Sequence, residues 1–190
     1  MALKIITQVG QEPISIDDVK DQLRIDTADE DDYLADLIFA ARDYAEGYTG
    51  RALASQTLEL VLDDFPSGTS IFLPRPPLQS VVSVIYKTID GLETSLTEGA
   101  DFIVDDDLSP GRIVLPPNKS WPGESLYPVS PIRIRYESGY NCTTSLIPYT
   151  LKAGLLLHVG LLYKYRDAEI PPGALITVRR LYDMYRITWF

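Results

Sequence analysis

"RIDTADEDDYLADL", residues 24–37, sets five carboxylates (Asp26, Asp29, Glu30, Asp31 and Asp32) within seven residues and then turns apolar. Read as a cation loop, it points to a metal enzyme; read as the first turn of a helix, it points to a scaffold. An EF-hand loop needs alternating oxygen ligands, a central glycine and a glutamate at its twelfth position. Along "DTADEDDYLADL", Asp31 stands where the glycine belongs and Leu37 where the glutamate belongs. The apolar residues that follow fit the other reading. Leu34, Leu37, Ile38, Ala41, Ala45 and Tyr48 fall on one face of a helix, with Asp36, Asp43 and Glu46 largely off it. Thr27 with Glu30, or Asp26 with Asp29, then supplies the N-terminal cap, and the remaining carboxylates lie where the helix dipole favours anions. Gly50 stands where a left-handed residue is wanted to end the helix. The cluster reads as a start signal.

A shorter helix precedes it. In "EPISIDDVKDQLRID" Ser15 is the expected cap, Asp18 its capping-box partner, and Ile14 with Val19 has the spacing of a hydrophobic staple. This helix should end near Leu23.

From about residue 56 the period changes from 3.6 to 2. "QTLELVLDDF" alternates Leu58, Leu60 and Leu62 against Thr57, Glu59 and Asp63, as in a half-buried strand. "SIFL", "SVVSVIYKT", "ETSLT", "DFIVD", "GRIVLP" and "PIRIRYESG" follow, and Asp90-Gly91 has the form of a hairpin turn. Ten of the fourteen prolines lie between residues 57 and 145, which excludes helix there. Six or seven antiparallel strands in one sheet are expected. "RPPLQSV" (residues 75–81) is either a polyproline segment for a partner or a rigid lead-in to the next strand.

Helix returns at "SLIPYTLKAGLLLHVGLLYKYRDAE", with Leu151, Leu155, Leu156, Val159, Leu162 and Tyr163 on its face. Each of Gly154 and Gly160 weakens a helix by about 1 kcal/mol relative to alanine, so a neighbour should approach closely at both. A fourth helix, "ALITVRRLYDMY", turns Leu175, Val178, Leu181, Tyr182 and Tyr185 to one side. The fold class is α+β: a four-helix platform from residues 1–56 and 146–190, with residues 57–145 inserted as an antiparallel β subdomain. The final "RITWF" is strongly apolar and either folds back on its own core or docks on another subunit or partner.

The net charge is −10, and it is uneven: net −7 over residues 1–56, −6 over 57–145 and +3 over 146–190. Proteins that grip phosphate cluster lysine and arginine, so tight nucleic-acid binding is not expected. An acidic front and a basic tail suit head-to-tail association of copies. No apolar run reaches the ~18 residues of a membrane span, and the N-terminus lacks the marks of a signal peptide. Cys142 is the single cysteine, which fits a reducing compartment.

Reaction chemistry finds few residues. His158, the one histidine, sits in "LLLHVG" and reads as a hydrogen-bonded core residue, so no Ser-His-Asp triad can be built without it. No CxxC, HExxH or GxxxxGK[ST] occurs. "VDDDLSPG" (residues 104–111) has the composition of a solvated turn, with cation binding as the alternative. Neither a catalytic residue nor a metal or cofactor site is assigned.

The helix pattern has a counterpart among known families. "ISIDDVKDQLRIDTADEDDYLADLIFAARDYAEGYTGRAL" strongly resembles the opening of the tailed-bacteriophage head-tail connector (adaptor) family, the gp6-like proteins. "IPYTLKAGLLLHVGLLYKYRDAE" and "LYDMYRITW" are similar to its closing helices, and the strand-rich middle with "LPRPPLQSV" and "SWP" resembles its longer branch. The "IPPGALITV" region departs from the simplest pattern. The resemblance implies a structural virion protein in a ring, generally twelve-fold, between the portal and a tail-side stopper or tail-completion protein. DNA would pass through without specific binding, no membrane would be involved, and assembly would take place in the host cytoplasm. On that reading Tyr185, Arg186, Ile187, Thr188, Trp189 and Phe190 are expected to engage the portal or an adjacent subunit. Some of Asp29, Glu30, Asp31, Asp32, Asp105, Asp106 and Asp107 are expected to face the channel or a ring neighbour. A stopper or tail-completion protein is the nearest alternative, and a hydrolase using Mg²⁺ or Ca²⁺ a remoter one.

Overall fold

The computed structural model describes residues 1–7, 9–141 and 147–188. Cys142, Trp189 and Phe190 therefore lie outside the described residues. The elements run β1 (Ala2–Thr7), α1 (Ile16–Leu23), α2 (Asp31–Thr49), β2 (Gln56–Leu62), β3 (Ser70–Phe72), β4 (Leu78–Lys87), β5 (Glu93–Leu96), β6 (Ile103–Asp105), β7 (Arg112–Val114), β8 (Ile132–Ser138), α3 (Tyr149–Lys164) and α4 (Pro172–Asp183).

Two units result. One comprises Met1–Gly10 and Ser55–Gly139, the other Gln11–Ala54 and Tyr140–Phe190. The first ten residues thus belong with the strands, although the sequence pattern grouped them with the helices. The reason is pairing: β1 lies antiparallel to β2, with Leu3 opposite Leu60, and Leu3 packs on the core of the strand unit. At the other boundary, Tyr140 packs on the helical core and draws the division back to residue 139.

The strand unit holds two antiparallel sheets rather than one, ordered β1-β2-β8-β4-β5 and β3-β7-β6. Alternation explains the larger sheet. Along β8, Ile132, Ile134, Tyr136 and Ser138 are buried while Arg133, Arg135 and Glu137 are exposed. The register sets Leu60 beside Ile134 beside Val84, one apolar row facing a core shared with Ile71 and Ile113 of the smaller sheet. On the opposite face Glu59 and Arg135 are paired across strands at 3.0 Å. The Asp90-Gly91 turn forms as expected, with Gly91 at φ 86° and its N–H bonded to the Thr88 carbonyl. "RPPLQSV" leads rigidly into β4: Tyr136 donates to the Pro74 carbonyl at 2.8 Å, and the Ser138 hydroxyl lies against the carbonyls of Arg75 and Pro77.

In the helical unit the Ser15 capping box is present. Ser15 Oγ accepts the Asp18 N–H, and the Asp18 carboxylate accepts the Ser15 N–H, both at 3.0 Å. Ile14 and Val19 are both buried, completing the staple. The cap expected for α2 is absent. Glu30 occupies the capping position without a side-chain bond to the helix, so neither Thr27 nor Asp26 plays that role. Gly50 ends α2 at φ 72°. The buried face of α2 is broader than its apolar residues imply, because Arg42, Glu46 and Thr49 join Leu34, Ile38, Ala41 and Ala45. Arg42 reaches Glu12 at 2.7 Å and Glu46 at 3.5 Å, and Glu46 accepts the Leu53 N–H at 2.7 Å. Burial of this charge is supported by its partners.

Close approach is realised at one of the two glycines in α3. A Cβ at Gly154 would sit 2.6 Å from Cε1 of Tyr182, whereas at Gly160 the nearest atom is Leu23 Cδ2 at an ordinary 3.7 Å.

Candidate docking site

The last turn of an α-helix leaves carbonyls without helical partners. In α2 the C-terminal segment supplies one: the Ile187 N–H donates to the Thr49 carbonyl at 2.8 Å. Arg51 Nε donates to the Tyr185 carbonyl at 2.6 Å, and Tyr185 packs half-buried against the helical core. Tyr48 then gathers the surrounding charges. Its hydroxyl donates to Asp183 at 2.6 Å, and the guanidinium groups of Arg186 and Arg179 lie 5.1 and 5.9 Å from its ring centroid. The Asp183 carboxylate pushes the Tyr48 phenol above its ordinary value. Arg179 Nε also donates to the Tyr44 hydroxyl at 2.7 Å, and the Tyr44 and Tyr48 rings stack at 6.1 Å. Residues 185–188 therefore fold back onto the C-terminal end of α2, leaving Arg186 and Thr188 exposed.

The structure divides the acidic residues into ties and surface groups. Glu30 accepts from the Tyr163 hydroxyl at 2.5 Å and from Arg166 at 2.9 Å, binding the start of α2 to the end of α3. Those two donors, Tyr163 first, hold its carboxyl below the ordinary value. This explains the missing cap, since the carboxylate serves a neighbouring helix instead of its own. Asp31 pairs with Lys20 of α1 at 2.5 Å. Asp29 and Asp32 are exposed. In the strand unit Asp105 pairs with Arg112, its register partner on β7, at 2.8 Å, while Asp106 and Asp107 are exposed. The two acidic runs lie in different units.

The one histidine is held in the helical core. His158 is buried between Tyr44, whose ring meets it edge-on at 4.9 Å, and the Tyr182 hydroxyl, 3.5 Å from Nδ1. Burial lowers its pKa to about 4, so the ring is neutral at physiological pH. Among the described residues no three of His, Cys, Asp and Glu are grouped to hold a metal ion. What the surface offers is contact area. Phe39 on α2, Ile176 on α4 and Met184 just beyond it are exposed large apolar side chains that sequence reading passed over. The signal was their position off the buried faces of these helices, which alone does not separate a docking residue from an incidental one.

The model of a known family, described as phage gp6-like head-tail connector protein, matches residues 13–101. Chains in solved structures share the fold over nearly their whole length. One, in the neck of an empty GTA particle computed with C6 symmetry, has a TM-score of 0.82 at 24% identity, covering 100% of this chain and 97% of that one. Another, in the virion of a native gene transfer agent (GTA) particle, has a TM-score of 0.79 at 23% identity with the same coverage. A third, in the neck of a native GTA particle computed with C12 symmetry, has a TM-score of 0.77 at 23% identity, again covering 100% and 97%. No curated protein sequence matches the chain.

Proposed function

We propose that this chain is a structural connector protein of the phage gp6-like head-tail connector kind, whose family model matches residues 13–101, and that it assembles as a ring, a dodecamer, between a portal and a tail-side stopper or tail-completion protein. The family match carries this reading. The ring is supported by the shared fold with chains in particle necks computed with C6 and C12 symmetry. The protein resides in the virion at the head-tail interface after assembly in the host cytoplasm, and it has no catalytic step to perform.

The charge distribution suits a conduit. DNA must slide past the ring, and a lumen that bound phosphate would hold it. A net charge of −10 makes adhesion unfavourable, and the exposed Asp29, Asp32, Asp106 and Asp107 contribute to the channel wall or to contacts with ring neighbours. Residues 185–190 meet the portal or an adjacent subunit. Their inner part is held on α2, so the exposed part is presented on an ordered base, which lowers the entropy lost on docking.

The test is electron microscopy of the purified chain mixed with the portal from the same particle. Rings on the portal face support the reading; a chain that stays monomeric and unattached refutes it.

A further inference from the structure

A closed ring needs two different faces on each copy, one complementary to the other. The helical unit carries two outward helix faces of that kind. On α2, Phe39 is 51% exposed, with Asp36 about one turn before it and Asp43 about one turn after, both exposed. The buried apolar residues of this helix (Leu34, Ile38, Ala41 and Ala45) point elsewhere, and among the described residues the cation over the Phe39 ring is Arg42, turned inward to Glu12. On α4, Ile176 is 48% exposed and Met184, at its C-cap, 71%. Exposed Arg180 lies midway, four residues from each. The buried side of α4 is Val178 and Tyr182. Asp36, Asp43 and Arg180 form no ion pair among the described residues.

We infer that the Phe39 face of α2 in one copy packs against the Ile176–Arg180–Met184 face of α4 in the next copy. The inference rests on the ring reading above. Charge selects the pairing. Two α2 faces together would oppose Asp36 and Asp43 with the same residues, and two α4 faces would oppose Arg180 with itself. Like charges set against each other suppress such pairings, and the unlike pairing brings attraction. It is also the heterologous one, which propagates around a ring where a two-fold contact would stop at a dimer. The lengths agree: Ile176 to Met184 spans about 12 Å of helix, and Asp36 to Asp43 about 10 Å. Arg180 then falls over the Phe39 ring and within reach of both aspartates, while Ile176 and Met184 cover the apolar surface on either side. A nucleic-acid backbone suits the α4 face less well, because its single unengaged arginine stands between two large apolar side chains. One helix-on-helix contact is smaller than the roughly 1,200–2,000 Å² of a stable free complex. The contact therefore becomes strong only when every copy uses both faces.

The experiment is cross-linking in assembled rings. The full chain carrying Cys142→Ser, Ala40→Cys and Thr177→Cys is assembled on the portal, treated with a short bis-maleimide and run on a denaturing gel. Both new positions are exposed beside the two faces. The expected result is a ladder of multimers from the double-cysteine chain and only monomer from either single-cysteine chain. Rings visible by microscopy without a ladder overturn the α2–α4 contact and leave the ring standing. A dimer from a single-cysteine chain overturns the contact by showing a two-fold arrangement. Absence of rings from every preparation overturns the ring reading and this inference together. As a second measurement, Asp36→Arg and Arg180→Asp should each reduce ring yield on the order of tenfold, and the two combined should restore it. Unchanged yield in the single variants also refutes the pairing.

Discussion

Two glycines inside helices should respond to alanine in opposite directions. A Cβ at Gly154 of α3 would stand 2.6 Å from Tyr182 Cε1, 3.1 Å from Cδ1 and 3.4 Å from Leu181 Cβ. The Tyr182 ring has little room to yield. It is fully buried, it packs near Tyr48 and His158 with centroids 6.4 and 6.3 Å away, and its hydroxyl lies 3.5 Å from His158 Nδ1. Alanine gains about 1 kcal/mol of helix propensity, while overpacking a well-filled core costs about 1–3 kcal/mol. The net change is a loss of up to about 2 kcal/mol. Gly47 in α2 meets nothing within 4 Å, so Gly47→Ala should keep the whole propensity gain of about 1 kcal/mol. The two variants are then separated by roughly 1–3 kcal/mol, or several degrees in melting temperature at about 2–4 °C per kcal/mol. Urea unfolding of the unassembled chain, followed by far-ultraviolet circular dichroism, measures the difference. If Gly154→Ala proves as stable as Gly47→Ala, α4 does not approach α3 as closely as argued.

Four further outcomes are expected. His158 titrates near 6.5 when unfolded and at about 4 when folded, so stability should fall as pH drops from 6.5 towards 4, by up to about 3 kcal/mol, and His158→Gln should flatten that slope in urea midpoints. Glu30 is held below its ordinary 4.5, so its contribution is present above that pH and lost as pH falls through the folded value; Glu30→Gln should therefore destabilise at pH 7 and match the parent at strongly acidic pH. Deleting residues 186–190 removes the Ile187 bond to Thr49 yet should leave a folded monomer by circular dichroism while abolishing attachment to the portal in a pull-down. Reversing Asp29 and Asp32, or Asp106 and Asp107, to lysine should leave the fold intact, since all four are exposed, but change oligomerisation or DNA retention; particles unaffected in both respects refute a channel or ring role.

How much was legible follows from how far each interaction reaches along the chain. The Ser15–Asp18 box, the Gly50 terminus and the Asp90-Gly91 turn each involve residues within four positions of one another, and all three could be read directly. Strand positions were legible for the same reason, because a period of two is a local property. The resemblance to connector proteins was also visible, carried by the helix-opening segment, which lies within residues 13–101 that the family model matches. The docking faces were not, since Phe39 and Ile176 count as surface or core only once every buried face is known.

The chain's local chemistry therefore set where helices and strands begin and end, and through them the α+β class. Tertiary structure decided three things that no window of sequence contains. It drew residues 2–7 into a sheet beside residues 57–61, split the strands into two layers, and assigned each acidic residue as a tie or a surface charge. Glu30 shows the physical reason: its carboxylate had a capping site within its own turn, and it went instead to donors 133 and 136 positions away. A charged group takes the partners that hydrogen-bond it best, and only the packed chain determines which ones are near.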